Sequence, residues 1–196
     1  MAGTISVRAI TPADISGLAG LHVRCHREAN RGILPGDYLA KIKAGSFQGE
    51  WERSFTQGVS GEPAFERHFV AEDSRAGMVG FVSVGPSRDA QLKYGGEIYR
   101  FHVLADCQGR GAGRDLVAAA VEFLRKRRMN SLIAWIFEAN EAGRKFLEHL
   151  GAVPVKLKRD VVIDGNKLVS IPYAWEDLKA LQDRLNRGDS GGHNVG

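Results

Sequence analysis

Residues 103–116 read VLADCQGRGAGRDL, a glycine-rich turn that connects a predicted strand to a predicted helix. β-Forming residues fill 97–104 before the turn, and apolar residues recur at helical spacing after it, from Leu116 to Leu124. A helix N-terminus presents unpaired N–H groups and a partial positive charge. Glycines let the backbone approach a ligand closely, because they have no Cβ. The pattern therefore predicts a cradle for a phosphate or pyrophosphate group.

We compared this turn with three kinds of phosphate-binding motif. A P-loop needs a Gly-Lys-Ser/Thr triplet, and the sequence has none. A dinucleotide fingerprint would need a third glycine where Arg114 stands, and it would lie near the first strand rather than in mid-chain. The pattern Q/R-x-x-G-x-G/A is matched in full by Gln108, Gly111 and Gly113. A tight strand-to-helix turn without a ligand remains the alternative.

Composition narrows the class of protein. The 196 residues carry a formal charge of +4, with 43% hydrophobic and 26% charged residues, which excludes collagen-like and disordered chains. No apolar run reaches the ~18–20 residues that cross a bilayer, and the first residues lack a signal-peptide pattern. Cys25 and Cys107 cannot form a disulfide framework or a zinc site. We expect a cytoplasmic protein with one domain over 1–185 and a flexible tail over 186–196.

The remaining patterns predict the element order β-α-α-β-β-β-α-β-α-β-β, an α/β chain of the α+β type with a mixed sheet. Asp164-Gly165 between two β-rich runs predicts a hairpin, and Asn140 can cap a helix that ends at Gly151. Residues 45–61 fit a loop or a short helix. The predicted strands cover 5–10, 65–72, 78–84, 97–104, 132–137, 153–163 and 167–175.

The turn resembles the acyl-CoA-binding motif of the GNAT superfamily of N-acyltransferases. Other segments are similar to family features in the same order, from Ile5 to Trp175: 31–35 with 38–39, 69–73 with 79–82, 140–146 with 150–152, and 173–175. The resemblance implies the GNAT fold, a mixed and mostly antiparallel sheet that is flanked by helices and splayed between the motif strand and the next, near Val103 and 135–137. It also implies acetyl-CoA as co-substrate.

The same resemblance assigns cofactor contacts. Backbone amides of the turn would hold the pyrophosphate, with Arg110 or Arg114 as side-chain support. Backbone groups of the motif strand would contact the pantetheine arm and polarise the thioester carbonyl. Asn140 matches a pantetheine contact, or is simply a helix cap. The predicted cofactor residues are Phe101, Val103, Leu104, Gln108, Gly109, Arg110, Gly111, Ala112, Gly113, Arg114 and Asn140.

Catalytic and acceptor residues are also implied. Glu97 matches a carboxylate that removes the amine proton through water, or else it is an ion-paired strand-end residue. Leu147 stands where many members carry a proton-donating tyrosine, so solvent or another group, such as Tyr99, His102 or Tyr173, would protonate the leaving thiolate. The acceptor candidates are His26, Tyr38, Trp51 and Glu138, while Arg53 would suit an acceptor that bears a carboxylate.

The expected function is acetyl-CoA-dependent N-acetyl transfer (EC 2.3.1 class) to a primary amine of a small molecule or peptide N-terminus, by direct attack on the thioester. One alternative, suggested by Leu147, is a weakly active or inactive CoA-binding module. A less favoured one is a basic nucleic-acid-binding protein, suggested by the basic run 125–128. His22 and His26 have the spacing of metal ligands but no evident third ligand, so no metal is expected. Neither nucleic acid nor membrane is an expected partner, and a homodimer is allowed.

Overall fold

The computed structural model describes residues 3–56, 65–89 and 91–187. The strands are β1 (Ile5–Ala9), β2 (Arg67–Asp73), β3 (Gly77–Pro86), β4 (Gly96–Val103), β5 (Leu132–Phe137), β6 (Val153–Pro154), β7 (Arg159–Ile163) and β8 (Asn166–Trp175). The helices are α1 (Ile15–Ala29), α2 (Gly36–Lys41), α3 (Ala44–Thr56), α4 (Ala112–Lys126), α5 (Glu141–His149) and α6 (Leu178–Arg187). Over the described ranges, no helix is long and apolar enough to cross a membrane.

One sheet runs through the molecule in the order β1-β2-β3-β4-β5-β8-β6, and β7 pairs with β8. All neighbours are antiparallel except β4 and β5, which α4 connects as a crossover helix. The predicted fold class, with a mixed and mostly antiparallel sheet, is confirmed.

The sheet opens between β4 and β5. Their parallel pairing covers only Gly96–Ile98 against Leu132–Ala134, while β5 stays paired to β8 as far as Phe137. Tyr99 is an extra residue in the β3–β4 ladder, because Ser83 pairs with Arg100 and Val84 pairs with Ile98. A bulge bends its strand. The splay therefore begins at Tyr99, earlier on β4 than the predicted position at Val103.

Helices cover both faces of the opened sheet. The apolar side of α4 is fully buried against strands β1 to β4, and α6 packs onto the same helix. On the other face, α1 contacts β3, β4 and α3. The side chains of β4 alternate between these layers: Phe101 stacks on Phe146 of α5, whereas His102 lies against His22 of α1.

Over residues 45–61, where a loop or a short helix was expected, the structure has most of the 13-residue helix α3, and residues 57–61 lie outside the described ranges. Two other elements differ from the sequence-based prediction. The strand predicted over 153–163 is divided into β6 and β7. The unpredicted helix α6 crosses the predicted domain end at residue 185, because Leu178, Leu181 and Leu185 are buried. Residues 188–196 of the predicted tail lie outside the described ranges.

The predicted hairpin at Asp164-Gly165 is confirmed. Both residues have positive φ, 49° and 75°, and they connect β7 to β8. This is the backbone conformation that a two-residue type I′ turn requires. The hairpin brings Ile163 and Leu168 against the apolar cluster of α2, so it lies over the same side of the molecule as α1 to α3.

Candidate active site

The glycine turn ends in an N-terminus of α4 that has no side-chain cap among the described residues. Gly109 and Gly111 have φ values of 71° and 90°, which favour glycine because a Cβ is strained in this region. By contrast, the amide oxygen of Asn140 accepts a 2.9 Å hydrogen bond from the Gly143 N–H and caps α5. The first amides of α4 are therefore oriented to bind an anion, and the 15-residue helix adds its dipole.

The Arg110 side chain anchors the turn rather than opening toward a ligand. Its guanidinium donates to the Asp73 carboxylate and, over 2.8 Å, to the Gly3 carbonyl. Asp73 also accepts hydrogen bonds from the Arg75 and Ala76 amides. These bonds, the Arg75 amide first, lower the pKa of Asp73 to about 2. Only the backbone amide of Arg110 thus fits the predicted pyrophosphate contact, and the predicted side-chain support would fall to Arg114.

Backbone groups of β4 line the gap between β4 and β5. The Leu104 N–H donates to the Val79 carbonyl of β3 over 2.9 Å. Because strand amides alternate in direction, the N–H groups of Phe101 and Val103 point the other way, into the gap. The Gln108 side chain donates to the Val103 carbonyl over 3.1 Å. The geometry favours Phe101 and Val103 for the predicted cofactor contacts, whereas the Leu104 amide is already used within the sheet.

Gly113 lies where the gap meets α4. A Cβ at this position would lie 3.1 Å from Cζ of Phe146 and 3.4 Å from Cζ of Phe101. These two rings are stacked with centroids 5.3 Å apart. Gly113 is therefore required for close packing of the helix start against the aromatic wall of the gap, as well as for access to the backbone.

A cleft of about 370 Å³ lies where the two strands part. It contains two carboxylates, each paired with an arginine, and two aromatic rings, each covered by an arginine at 4.0 Å. The lining residues are Arg88, Asp89, Glu97, Ile98, Tyr99, Trp135, Arg159, Val161 and Ser170. The cleft can receive a small polar molecule beside the opening of the sheet.

Glu97 is the most buried charged group of the cleft, with 3% of its surface exposed. One carboxylate oxygen accepts from the Arg88 backbone N–H at 2.8 Å, and the other accepts from the Arg88 guanidinium at 2.5 and 3.1 Å. The Tyr99 hydroxyl donates to the Pro86 carbonyl over 2.5 Å, and burial is the main cause that raises its pKa. Two of the three predicted catalytic residues, Glu97 and Tyr99, therefore share one cleft.

Tyr173, the third predicted catalytic residue, does not line that cleft. It is 2% exposed, and its hydroxyl donates to the Glu148 carboxylate over 2.6 Å. Burial and this hydrogen bond raise the pKa of Tyr173. Leu147, at the position where the family tyrosine was expected, is buried as well. Neither Tyr173 nor Leu147 therefore directs a hydroxyl group into the gap.

The four predicted acceptor residues do not line the cleft either. Trp51 has no exposed surface and packs in the core of the protein. Tyr38 packs against the α2 cluster, and Glu138 is paired with Lys158 at 2.7 Å. His26 lies beside His22 and also beside His102, a third imidazole that sequence spacing could not relate to the other two.

Sequence reasoning missed most of the residues that shape the cleft. Arg88 and Asp89 fall between the predicted strands 78–84 and 97–104, and Arg159 falls in the C-terminal hairpin. Trp135 was placed at the predicted splay of the sheet but not among the candidate site residues. No local signal connects these positions, because the splay of β4 from β5 and the return of β7 bring them together.

Two other sequence features have structural explanations. Burial, assisted by Asp106, raises the pKa of Cys107, which disfavours a nucleophilic thiolate. In the basic run, Arg125 donates to Gln182 of α6, Lys126 pairs with Glu122, and the Arg127 guanidinium lies 4.4 Å from the centroid of the Phe123 ring. These contacts hold the run on the surface of α4 and α6.

Comparisons with solved structures agree with this architecture. The chain is similar to yncA, a putative acetyltransferase from Salmonella typhimurium solved with its cofactor acetyl-CoA: the TM-score is 0.62 at 18% identity, over 88% of this chain and 93% of that one. It is also similar to the paia N-acetyltransferase from Thermoplasma acidophilum in complex with coenzyme A, with a TM-score of 0.64 at 14% identity, over 88% and 99% of the two chains. These likenesses concern the fold.

Comparisons of sequence identify the family. The model of the acetyltransferase (GNAT) family matches residues 37–152, more than half of the chain. An uncharacterized N-acetyltransferase, YuaI from Bacillus subtilis (strain 168), is 33% identical over 184 residues, which cover 93% of this chain and 99% of that protein. A match of this extent includes the glycine turn, the splayed strands and the capped helix that follows them, so the chain belongs to the GNAT family and is an N-acetyltransferase.

Proposed function

We propose that this N-acetyltransferase moves the acetyl group of acetyl-CoA to a primary amine of a small molecule or peptide N-terminus, by direct attack on the thioester. One observation carries the proposal: the β4–β5 gap connects the uncapped start of α4 with the cleft that holds Glu97 and Tyr99. The two similar structures described with acetyl-CoA and with coenzyme A support the choice of donor.

The residues of the turn and gap fit such a donor. Amides of Gly109 through Gly113 would bind the pyrophosphate, since the glycines leave this backbone uncovered and no described side chain caps the helix. The N–H groups of Phe101 and Val103 would bind the pantetheine arm and polarise the thioester carbonyl. When bound, acetyl-CoA supplies an acyl carbon that an amine can attack.

Glu97 would prepare the amine for that attack. A neutral nitrogen lone pair is needed, so the acceptor ammonium must first lose a proton. The carboxylate of Glu97 would take this proton through a water molecule, since its oxygens retain accepting capacity beyond the bonds from Arg88. The C–N bond then forms, the nitrogen loses a second proton to water, the C–S bond breaks, and the thiolate takes a proton from solvent.

The charges of the cleft suit a polar acceptor. Glu97 and Asp89 can attract an ammonium group, while Arg88 and Arg159 can bind an anionic group on the same molecule. Each of these ions is already paired within the cleft, so an acceptor would replace or share existing ion pairs. These charges therefore favour a polar amine as the acceptor.

A thiol-release screen with acetyl-CoA over amino acids, polyamines, aminoglycosides and peptide N-termini tests the proposal. We expect turnover with at least one class, and calorimetry should show that Gly111→Asp loses CoA binding at least tenfold beyond Gly111→Ala. Both variants strain the backbone at φ 90°, but only aspartate adds repulsion toward the pyrophosphate. Equal affinities would contradict the assignment of the turn, and absence of CoA binding at millimolar concentration would sink the proposal.

A second candidate function is a CoA-binding module that does not turn over. Leu147 replaces the expected tyrosine, and the hydroxyls of Tyr99 and Tyr173 already donate to Pro86 and Glu148. Tight CoA binding without thiol release across the whole panel would favour this candidate over the first.

A further inference from the structure

Three histidines from two elements converge on the α1 face of β4. His22 and His26 lie one turn apart on α1, and His102 lies on β4 between two residues of the gap. The ring centroids are 5.5 to 6.3 Å apart, with planes inclined at 45° to 77°, so the rings meet by their edges rather than by stacking. One ring nitrogen of each histidine lies within 4.8 Å of the corresponding atoms of the other two.

Hydrogen bonding does not account for this cluster. His22 is only 4% exposed, and its Nδ1 is buried without a hydrogen-bond partner among the described residues. Buried polar atoms are nearly always satisfied, so an orphaned nitrogen needs an explanation. The ring is stacked on Phe47 at 3.6 Å and flanked by Phe81 at 5.0 Å, which excludes water from that side.

The protonation state suits ligation. Burial lowers the pKa of all three imidazoles, to about 2 for His22 and about 4 for His102. A neutral imidazole carries the lone pair that a metal ion requires. The positive charge of Arg100 contributes to the lowered pKa values of His22 and His102, while its guanidinium pairs with Glu50 at 3.1 Å, and the charge of this carboxylate raises the pKa of His26.

We propose that His22, His26 and His102 form a binding site for a divalent transition metal of the zinc class. A set of three neutral nitrogens prefers Zn²⁺, Co²⁺ or Ni²⁺ over Mg²⁺ or Ca²⁺, which take oxygen ligands. Tetrahedral Zn–N bonds of about 2.0–2.1 Å imply nitrogens about 3.4 Å apart, so the ring nitrogens, which lie within 4.8 Å of one another, must close by at most about 1.4 Å. Three protein ligands leave a fourth position open, and Glu50 can orient a ligand from the outer shell.

The site would connect α1 to the strand that presents Phe101 and Val103 to the gap. His102 lies between these two residues on β4, with its side chain on the opposite face of the sheet. Metal binding would therefore restrain β4 from the face of the sheet on which His102 lies, without any contact with the cofactor. Metal binding at these histidines does not require the proposed acetyl transfer.

The test uses the whole chain after treatment with a chelator. Addition of Co²⁺ should produce the visible absorption of a tetrahedral or five-coordinate nitrogen site, saturating at one equivalent, and Zn²⁺ should displace it. Thermal unfolding should shift upward with Zn²⁺ but not with Mg²⁺. No cobalt spectrum and no binding of Zn²⁺ at 100-fold excess over protein would overturn the proposal.

Single variants separate the site from adventitious binding. His26→Gln and His102→Gln change half-buried residues, and each should weaken Zn²⁺ binding at least tenfold. His149→Gln, at an exposed position on α5, should leave the affinity within twofold of that of the parent chain. Circular dichroism checks that all variants are folded. Affinities that are equal in all three variants would show adventitious binding and would refute the site.

Discussion

At the scale of single residues, Glu97 shows how a predicted role depends on a partner that the sequence did not indicate. The carboxylate is almost fully buried and is held by both the backbone and the side chain of Arg88. Arg88 itself is 60% exposed in its side chain. The pair therefore fixes the carboxylate in the lining of the cleft.

Glu97→Gln tests this role with little change in shape. If Glu97 accepts the amine proton through water, the rate at pH 7 should fall about 10²-fold, because a positioned base contributes ~10²–10⁴-fold. The deficit should shrink at higher pH, where more of the amine is already neutral. Steady-state kinetics from pH 6 to 10 with a substrate from the thiol-release screen measures both effects.

Asp89→Asn is the matched control, since Asp89 lines the same cleft and is also paired with an arginine. It should change the rate by less than tenfold, and CoA affinity should be unaltered in both variants. A Glu97→Gln enzyme with the parent rate at pH 7 would leave Glu97 with a structural role only.

At the scale of elements, the contact of β3 with β4 controls the width of the gap. Gly80 lies opposite Val103, and a Cβ there would come within 2.8 Å of the His102 carbonyl oxygen and 3.2 Å of the Val103 Cα. Both are backbone atoms, so neither can move without moving β4. The glycine is therefore required by the close approach of the two strands.

Gly80→Ala should push β4 toward the gap. We expect the free energy of unfolding to fall by about 1–3 kcal/mol, as for other overpacked sites, together with weaker CoA binding. Urea denaturation and calorimetry measure the two changes. Gly20→Ala in α1 is the control: nothing lies within 4 Å of the added Cβ, so it should stabilise the chain by about 0.5–1 kcal/mol. A Gly80→Ala variant as stable as the parent would contradict the packing argument.

At the scale of the whole molecule, buried imidazoles make the fold sensitive to acid. His68 lies in the layer between β2 and α3, 5% exposed, with its Nδ1 2.9 Å from the Ser83 hydroxyl and its ring beside Trp51 and Phe55. Burial is the main cause that lowers its pKa from 6.5 to about 4, with smaller effects from Arg100 and Arg67. The native chain therefore binds this proton less readily than the unfolded chain does.

The free energy of unfolding should consequently fall as the pH drops from about 6.5 toward 4. In this window the unfolded state takes up the His68 proton and the native state does not, which costs up to about 1.4 kcal/mol per pH unit.

His68→Asn should reduce the slope of the free energy of unfolding against pH by up to that amount. Above pH 7 the difference in this free energy between the variant and the parent chain should be constant. Urea titrations between pH 4 and 8, in chelator, measure the slope. An unchanged slope would show that His68 does not contribute to acid sensitivity. Asp14 and Asp73, whose pKa values are lowered in the folded protein, affect the free energy of unfolding at lower pH.

Much of this fold could be predicted from the sequence, because its signals are local. Alternating and helical spacings placed most strands and the helices α1, α4 and α5, the Asp164-Gly165 pair identified the hairpin, and the glycine-rich run identified the turn that leads into α4. Helix α6 and the division of β6 from β7 were missed. Their form depends on burial against α4 and on pairing with β8, which no short stretch of sequence reveals.

The sequence by itself determined the family, the crossover from β4 through α4 to β5, and Glu97 as a candidate base. The tertiary structure alone decided that the sheet opens at Tyr99, that Arg110 turns to Asp73, and that His102 joins the two histidines of α1. The physical reason is the distance along the chain over which each interaction acts. Backbone propensity and periodicity act over a few residues, whereas ion pairs and ligand clusters form between groups that only the closed fold brings within a few ångströms of each other.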